Sequence, residues 1–356
     1  VKVGGGLEMD FLLFLVILGG LIIGHELGHF LMSRLVGIQV REFGIGFPPR
    51  LAKVIESKGT EYTINAIPFG GFVRIAGEDD PSVEGGLAGA KKRVRAAVLL
   101  AGPAANILLA ILAFILAFRF AMPDTERVLI SEVQADTPAA AAGMKPGDLV
   151  LSVEGQTING FQSLQQAIAE QIGLPTQIEL QRDGRTLSVE LVPRKDFPED
   201  QGPIGVVLGY PLRQVTWPEA IGYGFQTTYL QFNEIIHLPA KLVRGEVQPS
   251  EARISGLKGI YDMIAWAASV DRSAERPFVT LNLVGVISIG LALANLLPFP
   301  ALDGGRMMFI GIEIMLGRRI NPKYESLAHA LGFILLLALM VYINLQDFIN
   351  PISLPR

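Results

Sequence analysis

Residues Phe11–Val36 read FLLFLVILGGLIIGHELGHFLMSRLV, an apolar run with His25, Glu26 and His29 in its second half. A helix needs about 20 such residues to cross a bilayer core, so this run is expected to span a membrane. It is too long for a signal peptide and lacks a basic start and a small-residue cleavage site. Each buried charge in such a helix costs about 2.5–3.5 kcal/mol on an insertion scale, so a compensating partner is required. The pattern names one. HExxH on a helix puts both imidazoles on one face, one turn apart, which suits zinc, with the carboxylate beside them as a proton acceptor for metal-activated water. His25 and His29 are therefore candidate metal ligands, and Glu26 is the candidate general base.

Working outward, three more runs are long and apolar enough to span: Val94–Phe120, Phe278–Leu297 and Ala328–Ile343 with its flank. The chain of 356 residues is 50% hydrophobic and only 18% charged, which places it outside ordinary soluble domains. It holds no cysteine, so any metal must sit on His, Asp or Glu, and its net charge of -4 with no basic aromatic stripe argues against nucleic acid. Arg41, Arg50, Lys53, Lys58, Arg74, Lys91, Lys92 and Arg93 crowd the first loop, and Arg306, Arg318, Arg319 and Lys323 the last. By the positive-inside tendency both loops are cytoplasmic and the long segment between the second and third spans is extracytoplasmic. Val1–Glu8 reads as a tail ahead of Met9.

A catalytic zinc site needs a third protein ligand and an open position. His237, His329 and Glu42 are candidates, but Asp303 stands out. It follows Asn295-Leu296-Leu297-Pro298-Phe299-Pro300-Ala301-Leu302 and precedes Gly304-Gly305, so prolines and glycines break the helix around an isolated acid. Non-helical backbone at membrane depth is tolerated only where it is buried or lines a polar cavity. The competing reading makes Asp303 the cap of a following helix. Two His and one carboxylate could also hold iron.

HELGH in the first span, Gly102-Pro103-Ala104-Ala105-Asn106 in the second and NLLPFPALDGG from Asn295 to Gly305 resemble, in order and spacing, the site-2 protease family of intramembrane metalloproteases, bacterial PDZ-containing type. The resemblance covers almost the whole chain from Met9. It implies one Zn2+ on His25, His29 and Asp303, Glu26 as the catalytic carboxylate, and Asn295 as a group holding the substrate backbone. Asn106 joins Asn295 as a candidate substrate contact, although a packing role beside Pro103 is at least as well supported. The family's Ser-Gly-Pro-Val-Gly is here Ser255-Gly256-Leu257-Lys258-Gly259, which leaves the packing of that segment open.

The fold expected is a polytopic α-helical membrane protein with four transmembrane helices (9–37, 93–121, 278–303 and 328–348). A cytoplasmic membrane-associated β-structure occupies 38–92, with strands at Ile38–Gly46 and Glu61–Ile75. One extracytoplasmic α+β domain fills 122–212, where TPAAAAGMKPGDLVLSVEG and the Asp183-Gly184 hairpin resemble a PDZ domain. A juxtamembrane amphipathic helix region (213–277) presents Trp217, Ile221, Phe225, Phe232 and Ile236, a cytoplasmic loop spans 304–327, and a tail 349–356 ends the chain. The function implied by the resemblance is hydrolysis within transmembrane segments of single-pass substrates such as anti-sigma factors or remnant signal peptides, in a bacterial cytoplasmic membrane. A PDZ groove could take an extended peptide or carboxy terminus, or the domain could act as a size filter. The competing class is a catalytically silent PDZ membrane scaffold with a structural metal. A transporter is a weaker alternative, since inverted repeats are not apparent.

Overall fold

In the computed structural model, which describes residues 4–198, 201–248, 253, 255–352 and 354, the chain divides into two compact units. The first comprises Val1–Ala117, Pro218–Ser269 and Val279–Arg356; the second comprises Phe118–Trp217 and Val270–Phe278. The elements in chain order are α1 (Gly4–Leu35), β1 (Val40–Ser57), β2 (Thr60–Ile75) and α2 (Lys92–Ala121). Then come β3 (Val128–Val133), α3 (Pro138–Ala141), β4 (Leu149–Val153), β5 (Gln156–Thr157), α4 (Phe161–Glu170), β6 (Thr176–Arg182), β7 (Arg185–Leu191) and β8 (Val206–Gly209). The chain ends with α5 (Trp217–Val243), α6 (Leu257–Ala274), α7 (Phe278–Leu296), α8 (Asp303–Leu316) and α9 (Pro322–Ile349).

Among the described residues four helices, Glu8–Leu35, Lys92–Ala121, Phe278–Leu296 and Pro322–Ile349, are long and apolar enough to cross a membrane. They expose many large apolar side chains, Leu12, Val16, Leu108, Leu112, Phe333, Ile334 and Leu335 among them, as lipid contact requires. Helix α1 starts at Gly4, so Gly4–Glu8 is helical rather than the tail expected. Gly28 of α1 permits close approach to α2: a Cβ there would lie 2.3 Å from the Ala101 carbonyl oxygen.

Strands β1 and β2 are long and pair twice. Glu42 faces both Arg74 and Glu61, so residues 40–47 lie between 60–67 and 71–75, with 50–57 on the far edge. The second half of β1 departs from the sequence expectation, because Pro48-Pro49 and the Lys53 and Glu56 charges read as loop; a bulged register accommodates them. The sheet is inverted relative to a soluble one. Glu42, Thr63 and Asn65 are buried, whereas Leu51 is 68% and Val54 62% exposed, joined by Ile45, Ile55, Ile64 and Ile67. Glu42 is matched by Arg50 (2.7 Å), Arg74 (2.9 Å) and Thr63 (2.9 Å), so it is a structural anion and no metal ligand.

Several boundaries moved for tertiary reasons. The expected loop 304–327 holds α8, and the single amphipathic region 213–277 is two helices. Helix α5 seats Ala220, Gly224 and Thr228 inward, with a Cβ at Gly224 falling 2.4 Å from Ile115 of α2. Its Trp217, Ile221, Phe225 and Ile236 remain exposed. The divergent Ser255–Gly259 segment is tied to α9: Asp347, 1% exposed, accepts the amides of Gly256 (2.8 Å) and Gly259 (3.0 Å) and pairs with Arg253 at 2.7 Å.

The second unit is a small sheet in the order β7-β6-β4-β3-β8, with β5 on β4 and a core of Val128, Ile130, Val150, Ile178 and Leu180 against Leu164 and Ile168 of α4. Strand β8 is invisible to periodicity because Val206-Val207-Leu208-Gly209 is too short to show a period. Asp148, fully buried, receives Arg182 in a fork (2.6 and 2.7 Å) and the Lys145 amide at 2.8 Å. Burial alone would raise its carboxyl, but the Arg182 and Lys145 bonds outweigh that and hold it below the usual range. A depressed folded value stabilises the unit above the ordinary carboxylate range, and that contribution disappears as pH falls through the folded value. Protection factors for amides of β4 and β6 in the whole protein, taken relative to intrinsic exchange at each pH, should therefore fall below about pH 4, and Asp148→Asn should reduce that pH dependence.

Candidate active site

The three ligand candidates converge. His25 Nε2 lies 3.1 Å from Asp303 Oδ2, His29 Nε2 lies 3.3 Å from the same oxygen, and the two Nε2 atoms are 3.2 Å apart. Both histidines are buried and Asp303 is half-buried. Helical spacing puts the imidazoles together, crossed edge-on at 80°. Asp303 arrives because α7 stops at Leu296 and the Leu297–Leu302 bend starts α8 at Asp303 itself. Both sequence readings of Asp303 thus describe one residue, which opens a helix and also meets the imidazoles.

The donor set fits a metal. Tetrahedral bonds of about 2.0 Å separate ligand atoms by about 3.3 Å, the spacing seen along all three sides. His29 Nδ1 donates to the Val98 carbonyl oxygen at 2.8 Å, which leaves its Nε2 lone pair free. Two imidazole lone pairs and a carboxylate crowded together repel one another unless a cation sits among them. Space is left by Gly102 of α2, where a Cβ would fall 2.3 Å from His29 Nε2 and 2.7 Å from His25 Nε2. Gly102→Ala should therefore weaken metal affinity by at least about tenfold, on the scale of lost metal-site support; wild-type affinity in chelator competition would refute this placement.

Glu26 sits beside the triangle, with His29, His25 and Asp303 all within electrostatic reach. Its Oε2 accepts the Val73 amide at 3.0 Å. Ala76 N–H bonds Gln39 across the sheet, so alternate residues of β2, Val73 among them, point away from β1 and toward α1. The carboxylate is thus pinned on the free edge of a β-strand. Farther along this seam an apolar groove of about 310 Å³ runs between Gly19, Gly20 and Ile23 of α1 and Ile45, Gly46 and Ile64 of the sheet.

The other candidates do not converge. Asn106 is 1% exposed with its Nδ2 3.4 Å from His25 Nδ1, so it is packed against a histidine of the triangle without joining the donor set. Asn295 bonds its amide to Leu291 of its own helix at 3.1 Å. His237 is exposed and bonds the Asn233 carbonyl. His329 takes the Ala301 amide at 2.8 Å, outside the triangle. Sequence reasoning missed the backbone partners Val73 and Val98, which leave no side-chain signature. It had Gly102 only as part of the second-span motif, with no link to the imidazoles.

Residues 13–339 match the family model described as peptidase family M50. The chain belongs to that family. Among its relatives, zinc metalloprotease RasP of Geobacillus kaustophilus is 28% identical over 94% of this chain and 96% of that protein. A "putative zinc metalloprotease" of Clostridium perfringens is 32% identical over 95% and 98%, and another of Agrobacterium fabrum 29% over 96% of both. The M50 match spans all three converging residues and Glu26, and the chain is a metalloendopeptidase by family.

Proposed function

We propose that this M50 peptidase is an intramembrane zinc protease that hydrolyses peptide bonds within transmembrane segments of single-pass membrane proteins. The observation that carries the reading is the triangle of His25, His29 and Asp303, two corners inside one apolar span and the third just past another, with Glu26 beside it on a strand edge. Zinc, when bound, would lower the pKa of water and polarise a carbonyl. Glu26, fixed by Val73, takes the proton of the attacking water and returns it to the leaving amine.

A transmembrane helix shields its own peptide bonds, so a substrate must unwind and find new partners for its backbone. The outward edge of β2 offers them, in line with Glu26, by strand addition. The inverted burial of the sheet supports a hairpin that dips into lipid, since apolar exposure with buried polar groups suits hydrocarbon surroundings. Asn295 would steady the substrate backbone. The PDZ-like unit between the second and third spans lies outside the cytoplasm, takes an extended peptide or limits bulk, and the basic loops face inward.

Purified protein should carry one zinc per chain and cleave a single-pass substrate in proteoliposomes, with loss on chelation and return on adding zinc. Absence of stoichiometric metal, or cleavage that ignores the chelator, would overturn the proposal.

A further inference from the structure

His329, on the fourth apolar helix, has no part in the metal triangle, yet it is tied to the bend that delivers Asp303. Its Nδ1 accepts the Ala301 amide at 2.8 Å, which assigns its proton to Nε2. Ala301 has φ +83, a left-handed conformation that a residue bearing a Cβ rarely adopts, and it stands two positions before Asp303. Three residues along α9, Gly332 admits the same bend: a Cβ there would lie 2.4 Å from the Pro300 carbonyl oxygen. The bend's other side is equally close to α8, where Cβ atoms at Gly304 and Gly305 would fall 2.3 Å from the Leu296 and 2.2 Å from the Phe299 carbonyl oxygens. Helix α9 is mostly exposed, with 6% of its apolar window buried, and a further anchor is Asp347 near its far end. Its contact with the catalytic bend is therefore concentrated at His329 and Gly332.

We infer that His329 is a positioning residue, holding Ala301 in its left-handed conformation so that the Asp303 carboxylate meets the imidazole pair. This rests on Asp303 being a metal ligand. Without the acceptor at position 329, the Ala301 amide loses its partner in a part-buried site and the backbone is free to relax toward negative φ. That relaxation would swing Asp303 away from its neighbours.

The test is zinc affinity by chelator competition on the full-length protein, alongside kcat and KM for a single-pass substrate. His329→Leu should weaken zinc about tenfold or more, as loss of outer support for a ligand does, and lower kcat more than KM. His329→Asn, whose Oδ1 can replace Nδ1 as acceptor, should stay within about threefold of wild type. Ala301→Gly, which accepts positive φ without strain, should restore most of the affinity lost in His329→Leu. Ala301→Val leaves His329 intact but puts a β-branched residue in the left-handed region, so it too should weaken zinc, and it decides the matter if His329→Leu does not fold. Two results would overturn the inference: wild-type affinity in both His329→Leu and Ala301→Val, or weakening that persists in His329→Asn and is not relieved by adding Ala301→Gly to His329→Leu. Wild-type affinity in Asp303→Ala would instead overturn the ligand assignment beneath it.

Discussion

Glu26→Gln should lower cleavage of a single-pass substrate by about 10²–10⁴-fold, the contribution of a positioned general base, while zinc content stays at the wild-type level. The amide keeps the shape of the carboxylate and can still accept the Val73 hydrogen bond, so strand and helix remain joined. What it loses is the capacity to take a proton. Because Glu26 lies outside the triangle of donor atoms, metal affinity should barely move. Zinc analysis and a cleavage assay on one preparation separate these effects. A Gln variant that cleaves at the wild-type rate would remove Glu26 from the general-base role, whereas a wild-type chain that carries zinc and cleaves nothing would leave the scaffold class standing.

Asp303→Ala should do the reverse and remove the metal itself. Its Oδ2 is the shared corner of the triangle, 3.1 Å from one imidazole and 3.3 Å from the other, and it brings the negative charge of the donor set. Loss of outer-sphere support typically costs about 10–100-fold in affinity, so loss of a ligand should exceed about 100-fold. Activity should vanish with the metal and return only at raised zinc. Asp303→Glu should fall between, since one added methylene displaces the oxygen from a triangle of near-equal sides. Asp303→Ala with undiminished zinc affinity would show that the acid only starts α8.

Much of the site is legible in the chain because helical spacing is written locally. His25, Glu26 and His29 share one turn, and a helix read from its apolar run puts them on neighbouring faces without further information. The break around Asp303 is visible as Pro298, Pro300, Gly304 and Gly305, residues whose backbone chemistry stops and starts helices. The extra strand Arg50–Ser57 is not visible, since its charges are matched across the sheet by Glu42 and Glu61, and pairing of that kind depends on register. Helix α8 is hidden behind the basic count of its segment, which points to a side of the membrane and is silent on conformation.

By itself, then, the sequence determined four apolar spans, a histidine pair with its carboxylate and a broken third span, because apolar periodicity and helix-breaking residues act over a few neighbours. Only the tertiary structure decided that Asp303 closes on those histidines, that Val98 and Val73 orient His29 and Glu26, that Gly102 leaves room beside them, and that His329 grips the bend. Those contacts join residues up to 278 positions apart through backbone amides, carbonyls and the space a missing Cβ provides. Such groups are the same at every residue, so only their placement by packing gives them a role.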